Sequence, residues 1–242
     1  MASNNPGKSL VSTNEDQDTL FNSVIGSIQS ASKLNKQHIE PELERPKSFL
    51  KLLDAEHFNW RNEDFRKVFG MRFKVKVPHI DQLNIIAYPA AEKNVPIFIF
   101  FCMLTKRKCI AHLNVNLPFR DDAYLEQHVK PLQYILQDYA PFDSTDRYPE
   151  WMKKYRNDST IYGLFPRERY EDIARCAERY AEAYMHQVAA ADRETDPAKL
   201  QQLKAFQDGF IDDIRTQDKA QGMISKMIGK QTAHRIFYEV TT

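Results

Sequence analysis

An α+β fold, a three-layer α/β/α sandwich around a central antiparallel sheet, is what this sequence predicts. Two observations carry that expectation. The apolar period switches from helical spacing to two residues at Lys67 and returns to helical spacing after Leu117. The runs between those points are joined by turns too brief for a parallel crossover, so neighbouring strands are antiparallel. Size agrees: 242 residues with 42% hydrophobic and 12% aromatic content suit one large core.

Taken in order, residues 1–18 are rich in Asn and Ser and read as a disordered tail, leaving residues 19–242 as a single domain. Leu20, Phe21, Val24, Ile25 and Ile28 recur at helical spacing and give a first amphipathic helix. Residues 40–46 hold two prolines among charges and read as a connector. Residues 48–56 fit a short helix with Phe49, Leu52 and Leu53 inward. Phe69, Met71, Phe73, Val75 and Val77 then alternate with polar or small residues, a half-buried strand that Pro78 stops. Residues 83–88 make a second strand, ended by Pro89. Residues 95–104 are apolar on both faces, as in a central strand covered on both sides. After a basic turn at Lys106, Arg107 and Lys108, residues 109–117 alternate again, with Ile110, His112, Asn114 and Asn116 on one face. Helices are expected at 123–139, 167–191, 197–216 and 221–235, and a further strand at 160–165.

Composition excludes several function classes. Lysine plus arginine (34) balances aspartate plus glutamate (33), which leaves no global basic field for nucleic acid. The longest apolar run is too short to span a bilayer, and the first residues carry no apolar secretory segment. Three scattered cysteines fit neither a zinc site nor a disulfide framework and imply a reducing compartment, hence a cytoplasmic protein, or a stromal one in a plastid-bearing cell. A monomer is expected. No dinucleotide, phosphate-loop, zinc-protease or nucleophile-elbow motif is present, and no two histidines stand three or four apart, so no metal is expected.

Chemistry must therefore come from polar groups in an apolar cavity. His112, Asn114 and Asn116 are either a solvated sheet face or a hydrogen-bonding row above a covered sheet. Asn84, between Leu83 and Ile85, is either a structural pin or a ligand contact. Asp218 continues the apolar stripe Phe206, Phe210 and Ile214. It either ends a helix in water or faces a pocket, where burial would raise its pKa and suit it to proton donation. Lys219 beside it would suit an acidic ligand. Lys106, Arg107 and Lys108 are a solvated turn or a docking site for an acidic partner.

Four segments, in order, resemble ferredoxin-dependent bilin reductases: Phe65-Arg66-Lys67, Val95-Pro96-Ile97-Phe98, Tyr148-Pro149-Glu150-Trp151, and Gln217-Asp218-Lys219 followed by Gly229 and Phe237-Tyr238-Glu239-Val240. The last resembles the family's closing helix and strand. The resemblance spans about residues 57–242 and implies an α/β/α sandwich holding an open-chain tetrapyrrole between the sheet and the C-terminal helices. It also implies an enzyme without a bound cofactor, in which ferredoxin delivers electrons singly and protein groups deliver protons through bilin radicals.

Residue by residue, the resemblance makes Asp218 and Asn84 catalytic, and Lys219, His112, Asn114, Phe101 and Met71 substrate-binding, with ferredoxin on Lys106, Arg107 and Lys108. It is uneven. Phe101 stands where the family has an aspartate that looks like its main proton donor, and Met71 where some members have glutamate. Phe165 falls at a propionate-binding arginine. The expected function is reduction of biliverdin or a dihydrobiliverdin. A bilin carrier without reductase activity and a relative acting on another substrate are the alternatives.

Overall fold

Seven antiparallel strands lie side by side in the order in which the chain makes them: β1 Asn35–Lys36, β2 Leu53–Arg61, β3 Phe65–Val75, β4 Ile80–Pro89, β5 Ile97–Leu104, β6 Lys108–Asn116 and β7 Ile161–Pro166. This is the computed structural model of the chain, and it describes residues 13–48, 53–142 and 148–242.

One face of the sheet is covered by α1 (Thr13–Ala31), α3 (Asp122–His128), α4 (Lys130–Gln137) and α5 (Tyr170–Ala190), whose apolar stripes meet Phe98, Phe100, Cys102 and Leu113. The other is covered by α6 (Pro197–Gln217), α7 (Ala220–Ile228) and α8 (Lys230–Arg235), with the short α2 (Pro41–Glu44) at one side. Phe69, Met71, Phe73, Ile86, Ile97 and Ile99 point into this second layer. With helices on both sides, β5 has no solvated face, which accounts for its unbroken apolar run. Gly70 faces α1 at close range: a Cβ there would stand 2.8 Å from Phe21 Cζ.

Several elements differ from the expectation. α1 begins at Thr13, inside the stretch read as a tail, with Gln17 buried against Cys102 and Asp18 paired with Lys74; residues 1–12 lie outside those described. The short helix expected at 48–56 is not formed by Leu53–Glu56, which open β2; Phe49 and Leu52 lie outside the described residues. Asp54, Glu56, His57 and Asn59 hide the period of two in β2, because His57 and Asn59 are buried on the same face as Leu53 and Ala55. Val77 is exposed beyond the end of β3.

The helix expected at 123–139 is broken at Val129, since Pro131 has no N–H to donate and is tolerated only in the first turn of α4. The helix expected at 221–235 is divided by Gly229, whose φ of 91° an L side chain rarely adopts. The segment likened to a closing strand is instead a π-helical turn, Ile236–Thr241.

Candidate active site

Between the sheet and α6–α8 lies a cavity of ≈ 680 Å³. Its floor follows from strand register. Met71 pairs with Asn84, Asn84 with Phe101, Phe101 with His112, and His112 with Tyr162, one residue from each of five consecutive strands. Side chains paired in this way project to the same side of the sheet, so five separated sequence positions become one row. Phe210 and Ile214 of α6, then Asp218 and Lys219, form the roof. Trp151, from a 3₁₀ turn at Glu150–Tyr155, closes one side.

Asp218 ends a helix but faces the cavity and is partly buried, not ended in water. It ends α6, and its Oδ1 accepts the Ala220 N–H at 2.8 Å, starting α7. Burial raises its pKa, with that hydrogen bond opposing. Asn84 lines the floor, and its Oδ1 is buried without a partner among the described residues. A buried acceptor left open at a cavity wall is available to a ligand donor. His112 is buried on the covered face, which overturns the solvated-face reading. Desolvation lowers its pKa to about 3, so the ring is neutral. Its Nε2 lies 3.2 Å from the Tyr148 hydroxyl. Phe101 and Met71 also line the cavity, and Lys219 sits exposed at its rim.

Two expected placements fail. Asn114 does not line the cavity. Its Nδ2 donates to Asn116 Oδ1 and the Tyr155 carbonyl, and its Oδ1 accepts from Asn157 Nδ2 and Thr160 Oγ1. All four hydrogen-bonding positions of the amide are used, and none remains for a ligand. Phe165 sits on the opposite face of β7, edge-on to Phe142, so that position cannot reach a cavity ligand. Lys106, Arg107 and Lys108 are exposed at the β5–β6 turn, away from the lining.

Sequence reasoning missed Gln82, Tyr162 and the C-terminal strap. Ile236, Phe237 and Thr241 of the strap line the cavity. Lys67 Nζ donates to the Val240 carbonyl at 3.2 Å and to Thr242 O at 2.8 Å, Arg215 donates to the Tyr238 carbonyl at 3.0 Å, and Tyr88 donates to the Thr241 carbonyl at 3.2 Å. These contacts join residues more than twenty positions apart, and no local pattern announces them. The charged lining groups among the described residues are Glu150, Asp218 and Lys219, and Gln82, Asn84 and Gln217 add amides to the mostly apolar walls. Such a site can orient a large planar ligand and give it a proton.

Among the described residues, no helix is long and apolar enough to cross a membrane, and no group of three or more His, Cys, Asp or Glu is placed to hold a metal. The family model for ferredoxin-dependent bilin reductase matches residues 21–240. A 15,16-dihydrobiliverdin:ferredoxin oxidoreductase of Nostoc punctiforme is 21% identical over 182 residues, covering 69% of this chain and 72% of the relative. That of Gloeobacter violaceus is 22% identical over 171 residues, covering 66% and 67%. The crystal structure of phytochromobilin synthase from tomato in complex with biliverdin superposes with a TM-score of 0.80 at 15% identity, covering 92% of this chain and 81% of that one.

Proposed function

The chain belongs to the ferredoxin-dependent bilin reductase family, and from that membership we propose that it reduces an open-chain tetrapyrrole, biliverdin or a dihydrobiliverdin, with ferredoxin as electron donor. The observation that carries the reading is Asp218, an acid of raised pKa set in the roof of a ≈ 680 Å³ cavity above Asn84 and His112. Volumes of roughly 300–1,000 Å³ are typical of sites for ligands of this kind.

Reducing one carbon–carbon double bond takes two electrons and two protons. Two reduced ferredoxins would supply the electrons singly and leave oxidised. The protonated Asp218 carboxyl gives one proton to the reduced tetrapyrrole and is reprotonated from solvent at the rim. Burial keeps His112 neutral, so it serves as a hydrogen-bonding group, and the second proton comes through water. Asn84 Oδ1 accepts a pyrrole N–H and fixes the ligand over the floor.

Ferredoxin docks, in this reading, at Lys106, Arg107 and Lys108. The β3–β4 hairpin brings Lys76 to the same end of the sheet, because β4 and β5 pair from Asp81 and Leu104 onward. From Leu104 to the floor residue Phe101 is three residues of strand, about 10 Å.

Phe101 supports a second reading, a bilin carrier, because the centre of the floor offers neither a proton nor a hydrogen bond. Titration with biliverdin, followed by reduced ferredoxin under low oxygen, separates the two. Loss of the biliverdin band to a blue-shifted product is the expected result. A stable red-shifted complex would mean a carrier, and no spectral change would mean another substrate.

A further inference from the structure

His112, Tyr148 and Tyr162 form a cluster that the proposed proton donor does not involve. The His112 ring is edge-on to Tyr148 (centroids 5.7 Å apart) and to Tyr162 (5.6 Å), and the two tyrosines meet at 4.5 Å. Tyr148 is 6% exposed, and among the described residues its hydroxyl meets one polar partner, His112 Nε2 at 3.2 Å.

A buried hydroxyl hydrogen left without an acceptor costs more than an oxygen lone pair left without a donor. The hydroxyl therefore donates, and Nε2 must be the unprotonated nitrogen. The imidazole is neutral, so its single proton is on Nδ1. Nδ1 makes no hydrogen bond among the described residues, and His112 lines the cavity.

We propose that Tyr148 is a positioning residue that locks His112 in its Nδ1–H form, so that His112 donates a hydrogen bond to a carbonyl oxygen of the cavity ligand. The ligand's identity rests on the tetrapyrrole reading above, but the tautomer does not. His112 pairs directly with Phe101 across β5 and β6. The donor thus stands beside the apolar centre of the floor, with Tyr162 packed against its other side.

The test uses the full chain labelled with ¹⁵N-histidine, with and without biliverdin. Nitrogen shifts of His112 should report the Nδ1–H tautomer near neutral pH before any ligand is added. Tyr148→Phe, which keeps the ring packing, should move His112 towards the Nε2–H form. It should also shift the absorption band of bound biliverdin and weaken binding about 3- to 10-fold, as loss of one oriented hydrogen bond does. An Nε2–H tautomer in the unsubstituted protein overturns the proposal. So does a Tyr148→Phe protein with the same tautomer and the same band. If biliverdin does not bind the unsubstituted protein, the tetrapyrrole reading fails, while the nitrogen shifts still decide the Tyr148–His112 assignment. Should Tyr148→Phe not fold, the unsubstituted protein's tautomer alone decides it.

Discussion

Phe101 and His112 are directly paired across β5 and β6, so the centre of the cavity floor places an apolar ring beside a neutral, buried imidazole. Neither group can give a proton readily at neutral pH. The acid of the site is across the cavity, at Asp218 in the roof. In the proposed reaction Asp218 gives its proton to the ligand from above, and the floor serves to hold and orient it.

Replacing Phe101 with aspartate tests that division. The new carboxyl would stand between Asn84 and His112, in surroundings that raise its pKa by desolvation. Its proton could bond Asn84 Oδ1, which lacks a partner among the described residues. Turnover of biliverdin with reduced ferredoxin is expected to rise by about 10²-fold, the lower end for one positioned acid. Steady-state assays of both proteins check it, and an unchanged rate would show that the floor is not where acid is lacking.

Asp218→Asn should separate activity from stability. Asn keeps an oxygen to accept the Ala220 N–H but has no proton to give, so turnover should fall about 10²- to 10⁴-fold. The folded pKa of Asp218 is raised by burial. Its contribution to stability is therefore full below the unfolded carboxyl pKa and is lost as pH rises through the folded value. At neutral pH the variant should melt no lower than the parent. The parent's rate should fall with rising pH across Asp218 ionisation, and this limb should vanish in the variant. Melting curves and a pH–rate profile together check both statements.

Much of this site was legible in the sequence because its parts lie on regular elements. Alternation along residues 109–117 put His112 on one face with Asn114 and Asn116 but left open whether that face was covered, and the spacing of Phe206, Phe210, Ile214 and Asp218 brought the acid to the apolar side of α6. Period alone could not say that Asn114 spends every hydrogen bond on Asn116, Asn157, Thr160 and the Tyr155 carbonyl, since those partners come from other parts of the chain. Nor could it find β2, where buried His57 and Asn59 imitate a polar face. His57 is buried because its Nδ1 meets the Leu43 carbonyl at 2.7 Å, a contact across fourteen residues.

Two of the asparagines on this face, Asn114 and Asn84, should respond in opposite ways. Asn114→Ala removes four hydrogen bonds, two of them buried and two half-buried, and takes Asn114 away from each of their partners, at an expected cost of about 3 kcal/mol in unfolding free energy, with biliverdin affinity unchanged in the protein that remains folded. Asn84→Ala removes a group whose Oδ1 holds no described partner. It should leave stability within about 1 kcal/mol and weaken biliverdin binding. Denaturant unfolding and absorption titration of each variant measure the two effects separately.

The C-terminal strap should couple stability to binding. Lys67→Met keeps much of the aliphatic stem but removes the ammonium that holds Val240 and Thr242. Charge-assisted hydrogen bonds of this kind contribute about 1.5–3 kcal/mol. A loss within that range is expected, together with weaker biliverdin binding, because Ile236, Phe237 and Thr241 form part of the cavity wall. Faster amide hydrogen exchange confined to residues 236–242 would locate the effect in the strap.

The turn at Lys106, Arg107 and Lys108 is the last element to test, and it lies outside the cavity lining. None of the three side chains forms an ion pair among the described residues, and all are exposed. Their charge is therefore available to a partner and is not used to hold the turn, which Thr105 closes through its own hydroxyl and the Lys108 backbone. Changing all three to serine should leave melting temperature and biliverdin affinity as they were. If an acidic electron donor docks here, the KM for ferredoxin should rise about tenfold at low salt, and the difference should shrink as ionic strength shortens the reach of the charges. Turnover driven by a small chemical reductant should not change, because it needs no docking surface. A ferredoxin KM that is equal in both proteins at low salt would place the electron donor on another surface.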